Sequence, residues 1–362
     1  MSSLFSSYAL KGITLRNRIA ASPMCQYQAV DGFTNDWHHV HYPMLARGGV
    51  GLLVVEATAV SPEGRITPGD MGLWSDAHVD GFKRIVHGIR EGGALPGIQL
   101  AHAGRKAGCT PPWEGGSPLP KDDLRAWESI APSALPYMAG DPNIPREMTL
   151  QDIRRVQRDF ADAARRAVDA GFEWLELHFA HGFLAQSFLS RHANARTDAY
   201  GGPLENRARF LLETVASVQQ VWPDHLPLTV RLGVVEFDHG AAQSADEAVQ
   251  VVHWLKEAGV DLVDVGLALS TPTEQVPWAP NFMVPYAQRI RTETHLPVST
   301  SWLITSASEA DVFVREGKLD LVCIARSLLA NPHWAFQAAR ELGIDESASV
   351  LPMPYAYWLR SW

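Results

Sequence analysis

Residues 174–183, Trp-Leu-Glu-Leu-His-Phe-Ala-His-Gly-Phe, decide how the fold of this chain is interpreted. The segment begins as a short apolar run and ends in two histidines, His178 and His181, followed at once by Gly182. Short runs that are apolar on both faces are typical of parallel strands covered by helices. The segment therefore predicts a buried strand, Trp174–His178, that ends in paired imidazoles and a tight turn.

Similar apolar segments recur along the chain and alternate with helical periodicity. Capping boxes at Ser244–Glu247 and Ser306–Glu309 predict helix starts, and a long helix is expected to start at Thr149–Asp152. A further helix is expected over Asp36–Arg47, where Pro43 should end or kink it. Eight β/α units favour an α/β fold, the TIM (β/α)8 barrel, with a doubly wound open sheet as the alternative. The eight predicted strands are Ile19–Pro23, Gly51–Ala57, Gly97–His102, Trp174–His178, Leu228–Gly233, Leu262–Leu267, Pro297–Trp302 and Leu321–Arg326.

Length, charge and cysteine content limit the functional classes. The 362 residues, which one large barrel domain can accommodate, include 31 Lys and Arg and 40 Asp and Glu, a net charge of −9. This balance argues against binding to nucleic acid or to an anionic membrane. The distant cysteines Cys25, Cys109 and Cys323 do not suggest a disulfide framework, and no signal peptide is recognised. We therefore expect a cytoplasmic protein.

Two segments interrupt the alternation of strands and helices. Residues 103–148 are rich in Pro, Gly and Trp and follow the third predicted strand. We expect them to form a capping or lid insertion over the carboxyl mouth of the barrel. Residues 351–362 form an aromatic tail that should pack on its own subunit or on a neighbour, as in a homodimer or homotetramer.

The carboxyl ends of barrel strands converge on one site whatever their separation in sequence. The residues at these ends include neutral hydrogen-bonding groups, two arginines and aromatic rings, but few carboxylates. Such a set suits a flat, polar, phosphate-bearing ligand better than a hydrated metal ion. The converging residues are Pro23, Met24, Cys25, Gln26, Tyr27, Glu56, Ala57, Gln99, His102, His178, His181, Arg231, Ser301, Trp302, Ala325 and Arg326.

Several motifs at these strand ends resemble those of one known family. The motifs are Met24-Cys-Gln-Tyr27, Gln99-Leu-Ala-His-Ala-Gly-Arg105-Lys106, His178-x-x-His181-Gly182 and Asn194-x-Arg-Thr-Asp-x-Tyr-Gly-Gly202-x-x-x-Asn206-Arg207. In order, and over essentially the whole chain, they resemble the Old Yellow Enzyme family of FMN-dependent ene-reductases. The pair Cys25 and Tyr27, together with Trp302 and the tail around Trp358, is similar to the thermophilic-like branch of that family.

The resemblance implies that FMN lies across the barrel mouth, bound tightly but without a covalent bond. Pro23, Met24 and Ala57 would offer backbone contacts to the isoalloxazine ring. Gln99 would hydrogen-bond the pyrimidine edge, and Arg231 would lie near N1 and O2, where reduced flavin carries negative charge. Further cofactor contacts are implied for Cys25, near the flavin N5 where it would tune the potential, and for Ser301, Trp302, Ala325 and Arg326 around the phosphate.

The resemblance also implies a ping-pong reaction. NADPH or NADH would reduce FMN, and hydride would then pass to a small electron-poor alkene or nitro compound. His178 and His181 would donate hydrogen bonds to the carbonyl or nitro oxygen of the substrate and polarise its C=C bond. The proton-donating tyrosine of the family corresponds to Phe183 here, so Tyr27 or water would supply the proton. Substrate contacts are also implied for Tyr27, for Phe183, for Trp302, and for Trp358 from a neighbouring subunit.

Other interpretations stay open beside ene-reduction. Without the tyrosine, the same flavin enzyme would favour nitro reduction, desaturation or isomerisation. A different class is a metal-dependent barrel lyase or hydrolase that uses His178, His181 and the cluster His38-His39-x-His41. Arg105 and Lys106 are expected at the base of the lid, near NADPH phosphate, near an acidic residue of a neighbour, or solvated.

Overall fold

The computed structural model describes residues 3–138, 140–141 and 143–361. The described residues exclude 1–2 and 362 of the predicted domain. Residue 362 is also the last residue of the predicted tail. The same holds for Ala139 and Pro142 of the predicted insertion.

Eight parallel strands close into a barrel in which each strand pairs with its neighbours in sequence and the last pairs with the first. The predicted TIM barrel is therefore confirmed, and the open-sheet alternative is wrong. Most of these strands are buried along their whole length, which explains why their sequences lack a polar alternation. The strands are β1 (Ile19–Ala21), β2 (Leu52–Ala59), β3 (Leu95–Ala101), β4 (Trp174–Phe179), β5 (Leu228–Val235), β6 (Leu262–Leu267), β7 (Val298–Thr300) and β8 (Leu321–Ile324).

The helices surround the barrel, and two of the three predicted helix starts are confirmed. Thr149 caps α3 through a capping box with Asp152, and Ser306 caps α8 by accepting from the backbone N–H of Glu309. The helices are α1 (Asp36–Arg47), α2 (Val79–Glu91), α3 (Leu150–Ala170), α4 (Leu184–Leu189), α5 (Leu204–Gln219), α6 (Ala241–Glu257), α7 (Val284–Thr294), α8 (Ala307–Arg315), α9 (Arg326–Ala330), α10 (Trp334–Glu341) and α11 (Met353–Leu359).

Two local expectations about helices are wrong. The third predicted start, at Ser244, lies inside α6, which begins at Ala241, and the Ser244 hydroxyl accepts instead from the backbone N–H of Glu236. Helix α1 continues through Pro43 to Arg47. A side chain at Gly88 of α2 would lie 2.5 Å from the proline ring, so this glycine leaves room for the ring between the two helices.

The predicted insertion, residues 103–148, is fastened to the loop between α4 and α5. The guanidinium of Arg196 in this loop is almost fully buried and donates to the carbonyls of Pro132 and Met148, at 2.9 and 2.6 Å. The backbone N–H of Ala195 donates to the Ser133 hydroxyl. These contacts explain the polar Asn194–Arg209 motif as a scaffold that positions the insertion.

The aromatic tail packs against its own subunit along one face only. Ala356 and Leu359 of α11 contact a small apolar cluster that contains Phe336 and Leu351. Trp358 points outward and is 76% exposed.

Two further observations concern membrane-spanning helices and cysteines. In the described part of the chain, no helix has the combination of length and apolarity that a membrane span requires. Cys25, Cys109 and Cys323 are all free thiols.

We expect Arg196→Met to destabilise the protein by about 2–4 kcal/mol, because buried carbonyls would lose a charged donor. The insertion should be cleaved faster in limited proteolysis, and the melting temperature should fall. Arg158→Met, at an exposed position of α3, is the matched control. Equal cleavage rates in the two variants would contradict the proposed fastening.

Candidate active site

The two histidines of the opening segment meet at the carboxyl end of β4. Nε2 of His178 lies 3.1 Å from Nδ1 of His181, and the backbone N–H of Ala180 donates to Nδ1 of His178. His178 therefore carries its proton on Nε2. The tight turn is formed by left-handed backbone at His181 and Gly182, with φ of +59° and +71°. A side chain at position 182 would lie 2.3 Å from the carbonyl oxygen of Leu269, which explains the glycine.

Both imidazoles are neutral at physiological pH. Burial and then the nearby Arg231 cation lower the pKa of His178 and of His181 well below the ordinary value. Nε2 of His181 is buried and has no hydrogen-bond partner among the described residues. Because His181 accepts on Nδ1 from His178, its Nε2 carries the proton.

A buried polar cluster lies in the barrel beneath these imidazoles. Arg231 of β5 is 6% exposed, and its guanidinium lies 3.1 Å from the Asp264 carboxylate and 3.2 Å from the Ser301 hydroxyl. Gln99 of β3 donates to Glu176 of β4 at 2.7 Å. Burial and the Asp264 charge raise the pKa of Glu176 to about 8. Glu176 is therefore largely protonated at neutral pH, and Arg231 pairs with a single carboxylate.

The segment after β1 is held by a second buried carboxylate, Glu56. Glu56 accepts from the backbone N–H of Gln26 at 2.7 Å and from the Tyr42 hydroxyl at 2.5 Å, and burial raises its pKa to about 8. These contacts position the neighbouring Cys25 and Tyr27. Burial raises the pKa of the Cys25 thiol, so Cys25 is a neutral thiol and not a thiolate.

Aromatic rings form two walls around the imidazoles. The Phe183 ring lies 4.9 Å from His178 and the Trp302 ring 5.5 Å from His181, both edge-on. The indole Nε1 of Trp302 is buried without a partner, and its backbone has a φ of +26°, a strained conformation often found at functional sites. Phe183 and Tyr27 also line a cavity of about 230 Å³ beneath the insertion.

Arg105 and Lys106 were expected near phosphate, near a neighbour's acidic residue or in solvent, but the structure buries Arg105 and leaves Lys106 half-buried. Lys106 Nζ donates to the carbonyls of His181 and Leu269, at 2.7 and 2.9 Å. Arg105 donates to the carbonyl of Ser270 and to those of Leu135 and Pro136. Burial lowers the pKa of Lys106 to about 7. Arg105 and Lys106 connect the insertion to the loop after β6. Two adjacent basic residues are typical of a protein surface, so the sequence did not predict this role.

The remaining predicted site residues lie on several other elements of the fold. Pro23 and Met24 follow β1, Ala57 lies within β2, and Ala325 and Arg326 lie at the start of α9 with Arg326 exposed. Trp358 lies on the exposed face of α11 and does not line the 230 Å³ cavity of its own subunit. His38 contacts Asn35 and Glu56. Among the described residues, His178 and His181 belong to no group of three possible metal ligands, so the geometry does not support the lyase or hydrolase interpretation.

The donors at the mouth fit a flat ligand rich in acceptor atoms. Arg231 Nε and His181 Nε2 would each lie 3.6 Å from a side-chain carbon added at Gly266, so this glycine leaves space between them. Among the described residues, Nε2 of His181 and Nε1 of Trp302 have no hydrogen-bond partner, whereas Arg231 Nε lies 3.1 Å from the Asp264 carboxylate. This set of donors suits the carbonyl and ring-nitrogen edge of a flavin.

Comparison with known proteins gives the same assignment. Residues 3–344 match the family model described as the NADH:flavin oxidoreductase / NADH oxidase family. The chain belongs to this family. The predicted membership in the Old Yellow Enzyme family is confirmed, as are FMN as the cofactor and a reduced nicotinamide as the hydride donor.

Individual relatives of this flavin oxidoreductase support the same family assignment. An NADPH dehydrogenase of Geobacillus sp. (strain WCH70) is 44% identical over 349 residues, 96% of each chain. Morphinone reductase in complex with tetrahydroNAD is 25% identical, with a TM-score of 0.76 over 95% of this chain and 91% of that chain. A 2-naphthoyl-CoA reductase complex, 24% identical with a TM-score of 0.84, shows the fold alone. The aligned region covers 94% of this chain and 52% of that larger enzyme.

The raised pKa of Glu56 predicts a pH dependence. A carboxyl whose pKa rises on folding stabilises the protein below about pH 4.5, its ordinary pKa, and this contribution is lost as the pH rises through about 8. Glu56→Gln should flatten the fall in unfolding free energy between these values, by at most about 1.4 kcal/mol per pH unit. Glu91→Gln, at an exposed position of α2, is the control. A Glu56→Gln curve parallel to that of the wild type would contradict the assignment.

Proposed function

We propose that this flavin oxidoreductase reduces the C=C bond of small electron-poor substrates such as enones, maleimides and nitro compounds. The observation that carries the proposal is a pair of neutral, buried imidazoles at the barrel mouth, with Nε2 of His178 3.1 Å from Nδ1 of His181. When bound, FMN takes hydride from the reduced nicotinamide and supplies it to the substrate. The protein would contribute binding, orientation and charge stabilisation.

The cofactor would be held by residues at the ends of most strands. Gln99 and Arg231 have the donors for the pyrimidine edge, and the Arg231 cation suits a region where negative charge develops. Pro23, Met24 and Ala57 would contribute backbone contacts. The thiol of Cys25 would lie beside the ring. The remaining proposed contacts are Ser301, Trp302, Ala325 and Arg326, around the phosphate end and the cavity beside it.

The imidazoles would hold the oxygen of the substrate. Nε2 of His178 and Nδ1 of His181 lie side by side, so an oxygen placed against both can accept two hydrogen bonds once His181 carries its proton on Nδ1. Neutral donors suit this task, since they stabilise enolate charge without protonating the oxygen beforehand. Trp302 and Phe183 would orient the flat substrate between their rings, and Tyr27 would contact its far side.

Position 183 cannot donate the proton that the α-carbon of the substrate requires, because Phe183 has no acidic group. The Phe183 ring packs edge-on against His178. We infer that Tyr27 or water supplies it. Burial raises the pKa of the Tyr27 phenol far above its ordinary value, which makes Tyr27 a weak acid. Slow protonation favours the second candidate function, in which the same flavin site mainly performs nitro reduction, desaturation or isomerisation.

A neighbouring subunit would complete the pocket through Trp358. The exposed aromatic face of α11, with Met353, Tyr357 and Trp358, has the apolar character expected of a subunit contact. A homodimer or homotetramer is proposed on this basis.

The proposed function is tested by separating the two half-reactions under anaerobic conditions. FMN-loaded protein should be bleached by NADPH or NADH and then reoxidised by 2-cyclohexenone. His178→Ala should slow reoxidation by about a hundredfold or more, because one donor to the developing oxyanion is lost. His225→Ala, an exposed histidine outside the site, should react like the wild type. Unchanged reoxidation in His178→Ala would exclude the proposed role.

Installing the missing phenol tests the proton source. Phe183→Tyr should accelerate reoxidation by enones and sharpen product stereochemistry, while leaving reoxidation by nitroaromatic compounds less affected. Stopped-flow rates and chiral product analysis provide the measurement. If neither rate nor stereochemistry changes, position 183 is not where the proton is delivered.

A further inference from the structure

A second group of polar side chains lies beside the barrel mouth and takes no part in the proposed reaction. His192 follows α4, and Glu236 and Asp238 follow β5. His192 Nε2 lies 2.7 Å from Asp238 Oδ2 and 3.6 Å from Glu236 Oε2. One potential ligand atom from each residue lies within 4.8 Å of the other two. Two loops distant in sequence thus present an imidazole and two carboxylates to one point.

An ordinary surface ion pair does not account for this group. Glu236 is only 9% exposed, and its Oε1 is buried without a hydrogen-bond partner. A buried carboxylate oxygen without a donor is costly. Arg191 and Arg207 both pair with Glu247, and Arg105 interacts with the Glu236 charge without forming an ion pair with it among the described residues. The group therefore holds two carboxylates against one imidazole, with an unused acceptor.

The space next to the group can receive a ligand. A cavity of about 250 Å³ is lined by all three residues and by Gln186. Gln186 is almost fully buried, and its side-chain carbonyl also lacks a hydrogen-bond partner. This carbonyl is directed at the cavity wall formed by Gly233, where a side-chain carbon would lie 2.3 Å from it. Both unpartnered atoms are acceptors, so the missing ligand is a cation or a donor.

The ligand chemistry favours a divalent transition metal. One imidazole nitrogen and two carboxylate oxygens are a usual ligand set for Zn²⁺, whereas Ca²⁺ requires six or more oxygens. In a tetrahedral site with bonds near 2.1 Å, ligand atoms lie about 3.3 Å apart. The His192–Glu236 distance of 3.6 Å is close to this value, and the His192–Asp238 distance of 2.7 Å would open slightly.

We propose that His192, Glu236 and Asp238 bind one Zn²⁺ ion or a similar divalent transition-metal ion, with water in the cavity completing the coordination. The ion would connect the loop after α4 to the loop after β5. Its role would be structural, to fix these two loops at the rim of the barrel. The site is independent of the flavin reaction proposed above.

Calorimetric titration of chelator-treated, FMN-loaded full-length protein with ZnCl₂ tests the proposal. Wild-type protein should bind one equivalent of Zn²⁺ and show a higher melting temperature. His192→Ala should weaken this binding at least tenfold and abolish the thermal shift. His239→Ala, an exposed histidine in the same loop as Asp238, is the matched control and should bind like the wild type.

A conservative variant distinguishes the loss of Zn²⁺ binding from a folding defect. Glu236→Gln keeps the side-chain shape, so it should retain the flavin spectrum and circular dichroism of the wild type while losing Zn²⁺ affinity. The proposal would be overturned if the wild type shows no saturable site, or if His192→Ala and Glu236→Gln bind Zn²⁺ as the wild type does. Equal affinity for Mg²⁺, unchanged in His192→Ala, would also overturn it.

Discussion

The chemistry of this barrel depends on one buried cation, the Arg231 guanidinium. Burying an isolated charge is costly, and Asp264 at 3.1 Å provides the opposite charge that makes the burial possible. Glu176 lies in the same polar cluster, but its raised pKa keeps it largely protonated near neutrality. The cluster therefore contains a single ion pair. Its cationic end approaches the barrel mouth, because Arg231 and His181 flank the same glycine, Gly266.

The properties of the imidazole pair follow from this arrangement. Burial, together with the Arg231 cation beneath them, lowers the pKa of His178 and of His181, so both imidazoles are neutral and have the N–H donors that the proposed role requires. The same cation suits the edge of a flavin on which negative charge accumulates. The turn that carries His181 is held in turn by Lys106, whose ammonium donates to the carbonyls of His181 and Leu269. Lys106 thus connects the insertion to the turn that carries His181.

Much of this could be predicted from sequence, because buried parallel strands leave a strong local signal and barrel topology brings their ends together. All eight strands lie where apolar runs predicted them, and the family resemblance is confirmed. The rest depends on contacts that no local pattern encodes. Lys106 looks like a surface residue until Leu269, 163 residues away, supplies a carbonyl. Ser244 has the spacing of a capping box, but its hydroxyl bonds to Glu236 inside a helix that has already begun. Likewise, the ring of Pro43 packs against Gly88 of another helix, a contact that the sequence of α1 alone does not encode.

The most direct test of this account is a crystal structure of the oxidised, FMN-loaded protein with a non-reacting ketone such as cyclohexanone. The account predicts that the ketone oxygen lies within hydrogen-bond distance of Nε2 of His178 and of a ring nitrogen of His181, between the rings of Phe183 and Trp302. A ketone that binds with its oxygen on Lys106 or in solvent, and with the imidazoles still bonded to each other, would contradict it.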